Sequence, residues 1–115
     1  MPAKLPVAAP PLKPHVFLIL LALADGPAHG YRIKQTVEER GGVRLDPGSL
    51  YRLIARLLDE ELIAGHSPDP DADPRRRPYA LTGRGRATLL AETDRLADLV
   101  GAVRRSKLLR RPRHA

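Results

Sequence analysis

The sequence has no cysteine, no tryptophan, one methionine and one phenylalanine. Without cysteine there is no disulfide framework, no thiol nucleophile and no thiolate zinc site, and the chain reads as built for a reducing compartment. The aromatic residues are Phe17, Tyr31, Tyr51 and Tyr79, so the core must be assembled mostly from Leu, Ile, Val and Ala. Long apolar runs are also missing. The run Val16–Ala24 has nine residues, whereas a membrane-spanning helix needs about 20. A secretory leader is the rival reading, because Lys4 and Lys13 precede the run and Ala22-Leu23-Ala24 resembles a cleavage site. Five prolines crowd the supposed leader head, and cleavage would remove the best core helix. A buried helix in a cytoplasmic protein is therefore expected.

Catalytic and metal-binding patterns are equally scarce. No set of nucleophile, base and orienting group stands out, so no enzyme is expected. His15, His29, His66 and His114 show no ligand spacing. Asp69-x-Asp71-x-Asp73 has the opening of a calcium loop, but Pro74 replaces the turn glycine and Ala80 the bidentate Glu. Gly83-x-Gly85 lacks the third glycine of a dinucleotide loop. No metal and no cofactor are expected.

What the sequence has is positive charge. Its 115 residues, enough for one domain, carry 20 Lys+Arg against 13 Asp+Glu, for a net charge of +7. A sequence pI near 10.5 points to a polyanionic partner, nucleic acid or an acidic membrane surface. The charge is unevenly placed. Residues 1–103 hold fourteen basic and thirteen acidic side chains, a balance of +1, and the last dozen residues contribute the remaining +6. Any basic patch on the folded part must come from arrangement. The tail is expected to add non-specific, salt-sensitive affinity without choosing a site.

Residues 1–14 contain Pro2, Pro6, Pro10, Pro11 and Pro14, and read as a disordered arm. A first helix follows, stopped at Asp25-Gly26-Pro27. A second is predicted from about His29 to Arg40, with Tyr31, Ile33 and Val37 inward and Gly41-Gly42 at its end. Val43-Arg44-Leu45 reads as a short strand or extended connector. Asp46-Pro47 opens a third helix, to about Glu61, with an acidic cap and proline at the first helical position. Its Leu50, Leu53, Ile54, Leu57 and Leu58 share one arc, and Ser49, Arg52, Ala55, Arg56, Asp59 and Glu60 share the opposite one. Extended pieces at 63–67 and 78–81 flank a hairpin tip rich in Pro, Asp and Arg. Thr82 caps a last helix to about Leu109, roughly 40 Å long. Leu89, Leu96 and Val103 recur on it every seven residues with Thr93 and Val100 between, a stripe that calls for a partner helix.

This order is that of a winged helix-turn-helix: mainly α, with a small two-stranded β-wing and a long C-terminal dimerisation helix. The divisions are a Pro-rich arm over 1–14, a DNA-binding domain over 15–81, a dimerisation helix over 82–109 and a basic tail over 110–115. The third helix suits the major groove. Arg52 or Arg56 can bind guanine O6 and N7, and Ser49 and Tyr51 can reach phosphate oxygens. The competing reading of that arc is a solvated face whose arginines pair with Asp59 or Glu60. A protein-interaction module without operator binding is the alternative function, motivated by the near-neutral folded part and the acidic wing tip. A membrane-surface anchor ranks last, because residues 104–115 have few large apolar groups.

Residues 20–33 resemble the first block of the PadR family, the phenolic-acid-responsive repressors, with its L-x-x-L-x-x-G-P-x-H-G-Y-x-I pattern. Pro47-Gly48-Ser49-Leu50-Tyr51-Arg52-Leu53-Ile54-Ala55-Arg56-Leu57 is similar to the family's recognition-helix block, and Leu62-Ile63 with Tyr79-Ala80-Leu81-Thr82-Gly83-Arg84-Gly85 to the blocks flanking its wing. The resemblance implies a homodimeric repressor of double-stranded DNA with a small-molecule effector that often binds near the dimer interface. It implies DNA-side roles for Tyr31, Ser49, Tyr51 and Arg52, joined by Arg56 from the helix face, and a basic wing at Arg75, Arg76 and Arg77. The dimer seam is assigned to Phe17, Leu89, Leu96, Val100 and Val103. In two places the chain departs from the family. Glu61 replaces the usual Gly, which implies a missing left-handed helix end and an altered turn into the wing. Asp69, Asp71 and Asp73 place repulsive charge at the wing tip.

Overall fold

The computed structural model describes residues 11–66 and 77–108. Their elements run α1 (Pro14–Ala22), β1 (Ala28–His29), α2 (Gly30–Gly41), α3 (Pro47–Asp59), β2 (Ile63–Gly65), β3 (Pro78–Leu81) and α4 (Gly83–Arg105). The chain is mainly helical, as expected, but the sheet has three strands rather than two. Ala28–His29 pairs antiparallel with β3, with Ala28 opposite Tyr79, and the strand order is β1-β3-β2. On the other side of β3, Ala64 faces Ala80 and Gly65 faces Tyr79. The wing is thereby tied to the start of α2.

Proline at the first helical position starts both α1 and α3. Asp46 caps α3 through its side chain, which accepts from the Ser49 N–H at 3.0 Å. Val43–Leu45 forms no strand. Glu38 holds this connector instead: its carboxylate accepts from the Leu45 N–H at 2.9 Å and pairs with Lys34 at 3.1 Å. The Leu45 bond, then Lys34, holds the Glu38 carboxyl below its ordinary range. The core joins Ile19 and Leu20 of α1, Ile33 and Val37 of α2, and Leu50, Ile54 and Leu57 of α3. Leu62, Ile63, Tyr79 and Leu89 close it. Leu58 sits at its margin, 37% exposed, rather than inside.

Glu61 is where the altered turn was expected, and the turn is intact. Glu61 itself adopts the left-handed conformation, with φ of 60°. Its N–H donates to Leu58 O and the Leu62 N–H to Leu57 O, both at 3.0 Å, the paired bonds of a Schellman helix end. The Thr82 hydroxyl donates to Glu61 O at 2.6 Å and Arg84 Nε to Glu60 O at 3.0 Å. Partners from α4 thus hold a conformation that glutamate disfavours.

Only the first part of α4 belongs to this core. Gly85, Thr88, Leu89 and Glu92 are buried. The helix ends at Arg105, four residues short of the predicted Leu109; Ser106–Leu108 are not helical, and Leu109 lies outside the described residues. Among the described residues no helix is long and apolar enough to cross a membrane.

Candidate nucleic-acid interface

Leu50, Ile54 and Leu57 bury one side of α3, which turns Gly48, Arg52, Ala55, Arg56 and Asp59 outward. At its N-terminal end three side chains form a chain of hydrogen bonds. The Ser49 hydroxyl donates to Asp46 Oδ1 at 2.8 Å, and Arg52 Nη2 donates to Ser49 Oγ at 3.0 Å. These Ser49 bonds, hydroxyl first and backbone N–H second, hold the Asp46 carboxyl below its ordinary range. A turn further on, Arg56 Nε meets Glu60 Oε2 at 3.2 Å. The competing reading of this arc therefore holds for Arg56, whose partner is Glu60. Arg52 instead bonds Ser49.

An open groove of about 440 Å³ runs along this side of α3, lined by His15, Arg44, Asp46, Ser49, Arg52 and Arg56. Sequence reading missed Arg44 and His15 as neighbours of the arginine pair. Arg44 carried a usable signal, since it stands two residues before the α3 cap. His15 had none, because only tertiary packing brings the start of α1 alongside α3.

On the other flank, the expectation of an inward Tyr31 is corrected. It is 69% exposed, because the buried side of α2 is formed by Gly30, Ile33 and Val37. Tyr51 is half-buried, and a Cβ added at Gly30 would collide with its phenol ring and hydroxyl. The glycine of the H-G-Y block and the tyrosine of the L-Y block are thus one contact, which locks the start of α2 against α3. Burial raises the Tyr79 phenol above its ordinary range, with the neighbouring Tyr51 hydroxyl adding to the effect. Arg77 reaches over Gly65 at the root of the wing. Arg75, Arg76, Asp69, Asp71 and Asp73 lie outside the described residues.

The expected dimer seam separates into two parts. Leu89 is only 8% exposed and belongs to the core of its own chain, so its surface is already covered. Phe17 packs partly against the same core. Leu96 is half-buried, while Val100 and Val103 are about half exposed, together with Leu99, which the seven-residue stripe did not include. Sequence reading also missed Glu92, 3% exposed on α4. It accepts from Arg95 at 2.8 and 2.7 Å and from the Leu12 N–H at 3.1 Å. The Arg95 bonds hold its carboxyl below the ordinary range, with the Leu12 bond adding to the effect. Glu92 therefore anchors the end of the Pro-rich arm, so the arm's expected disorder does not extend to Leu12.

Residues 19–91, more than half of the chain, match the PadR-like family of transcriptional regulators. The chain belongs to that family. The fold agrees: a PadR-like transcription factor from Bacteroides fragilis superposes with a TM-score of 0.63 at 27% identity, covering 76% of this chain and 84% of that one. A PadR family regulator from Clostridium difficile gives 0.65 at 25% identity, covering 80% and 95%. An uncharacterised 37.1 kDa protein of a Streptomyces fradiae transposon is 44% identical over 86 residues. That stretch is 75% of this chain but 24% of the transposon protein, so the chain spans about a quarter of that relative. The PadR-like family is one of regulators, not enzymes.

Proposed function

We propose that this PadR-like chain is a sequence-specific, DNA-binding repressor. It acts as a homodimer on a pseudo-palindromic operator and is released by a small-molecule effector. The observation that carries the reading is the outward arc of α3. Arg52 and Arg56 project from it beside Ser49, and Arg44 adds charge to the adjoining groove. A helix fits the roughly 12 Å major groove, and such side chains recognise guanine edges and phosphates. Dimerisation is supported by Leu96, Leu99, Val100 and Val103, which continue beyond the part of α4 that packs on its own domain. A two-fold pair places its half-sites about 10 bp apart or a multiple of that. The effector rests on family membership alone, and a cytoplasmic, nucleoid location follows from the DNA partner.

Selection of bound sequences from random duplex DNA tests the reading directly. The chain is expected to enrich a two-fold-symmetric site. The double variant Arg52→Ala, Arg56→Ala should then lose at least about fivefold in affinity, since one base-reading arginine is worth about 1–3 kcal/mol. Unchanged binding would remove α3 as the recognition helix. Failure to enrich any sequence would instead favour a protein-interaction module.

A further inference from the structure

Resting on the DNA-reading role proposed above, we infer that Asp46 and Ser49 form a positioning relay that fixes the Arg52 guanidinium for base reading, and that Ser49 is not itself a phosphate contact. A serine hydroxyl has one proton to donate. In Ser49 that proton goes to Asp46 Oδ1 at 2.8 Å, and the oxygen accepts from Arg52 Nη2 at 3.0 Å. A phosphate oxygen only accepts. While the relay stands, Ser49 has nothing to offer it.

The relay lies beside Gly48. A Cβ there would be 3.2 Å from Asp46 Oδ2, closer than usual, and 3.5 Å from Arg52 Nη1, an ordinary contact, so carboxylate and guanidinium both pack next to the bare backbone of Gly48. Asp46 is itself fixed by the Ser49 N–H, in the capping bond of α3. The guanidinium is therefore referenced to the helix end that enters the groove, and only one of its five donors is occupied by Ser49. The Asp46 carboxylate beneath it repels the full charge of a phosphate more strongly than the partial charges of a guanine edge, which presents neutral acceptors. Arg56 differs, being joined to the exposed Glu60 by an ion pair that screening weakens. Of the two arginines, Arg52 is the positioned reader.

The test uses the full chain, the operator selected by it, and single-base variants of that operator. Ser49→Ala keeps the backbone cap on Asp46 but removes the relay. It should cut discrimination at one guanine position at least about fivefold, the lower end of what a well-placed bidentate contact supplies. The slope of affinity against salt should not change, since no phosphate contact is lost. Ser49→Thr, which keeps a hydroxyl, should retain the discrimination. If Ser49→Ala weakens binding to every sequence alike and flattens the salt slope, Ser49 is a phosphate contact and the relay is wrong. If it changes neither, the relay has no role in reading. If the wild-type chain selects no operator, the DNA-reading role has failed, and this inference falls with it.

Discussion

Two helices in this protein are followed by a residue in the left-handed conformation, and they reach it by different means. Gly42 follows α2 with φ of 68°, where an exposed connector begins. Glu61 follows α3 with φ of 60°, where the chain turns into the sheet. Glycine adopts this geometry without steric penalty, whereas an L side chain in it costs roughly 1–2 kcal/mol. At Glu61 the hydroxyl of Thr82 and the guanidinium of Arg84 hold two successive carbonyls from a distant part of the chain. A turn fixed only by local bonds depends on its residue type. One fixed by tertiary bonds does not.

Removing the tertiary support is the strongest way to break this comparison. Gly85 lies in the first turn of α4, and a Cβ there would collide with the Leu62 carbonyl group. That same carbonyl accepts from the Thr82 N–H at 3.1 Å, and the Thr82 side chain caps α4 by accepting from the Gly85 N–H at 2.9 Å. The obstacle is backbone, so α4 must shift as a unit. Gly85→Ala should destabilise the fold by about 3 kcal/mol, the upper part of the usual range for overpacking, as read by chemical denaturation. A loss within about 0.5 kcal/mol, typical of an unconstrained surface site, would show that α4 does not hold the turn.

Restoring glycine at the turn has a smaller effect of opposite sign. Glu61→Gly removes the left-handed penalty, and part of that gain is offset by the greater freedom of glycine in the unfolded chain. A net stabilisation of about 1 kcal/mol is expected, visible as a rise of several degrees in Tm. Operator preference should not change, because Glu61 lies past the C-terminal end of α3, away from Arg52 in its first turns. Destabilisation would mean that the Glu61 side chain itself contributes, and that the penalty at φ 60° is already relieved.

These cases mark where the sequence was legible. The periodicity of Leu50, Ile54 and Leu57, the Asp46 and Thr82 caps and the Gly42 helix end are local matters, and each stands where the residues placed it. The third strand was hidden because two residues, Ala28 and His29, carry no alternation to read. The turn at Glu61 was misread because the bonds that sustain it cross more than twenty positions. In the candidate site, Arg52 and Arg56 were visible as one helix face. Their separate partners were not, because helical spacing allows Arg56 to meet either Asp59 or Glu60 and says nothing of a hydroxyl behind Arg52. Glu92 was unreadable for a related reason: an acid on a charged helix looks solvated until Leu12 and Arg95 are seen around it.

The smallest effect concerns the side chain just before the strained turn, which connects scaffold to site. Glu60 lends its backbone carbonyl to Arg84 and its carboxylate to Arg56. Glu60→Gln leaves the first bond in place and removes the charge from the second. An exposed i,i+4 ion pair is worth about 0.3–0.5 kcal/mol, so stability should change little. Released from that pair, Arg56 is free to meet phosphate, and a negative charge leaves the DNA-facing side of α3. Affinity should rise about two- to threefold on all sequences alike, with a steeper dependence on salt, because a further cation displaces counterions. An increase confined to the selected operator would make Arg56 a second base reader beside Arg52. No increase at all would place Arg56 off the DNA surface, and the C-terminal end of α3 would then serve the fold alone.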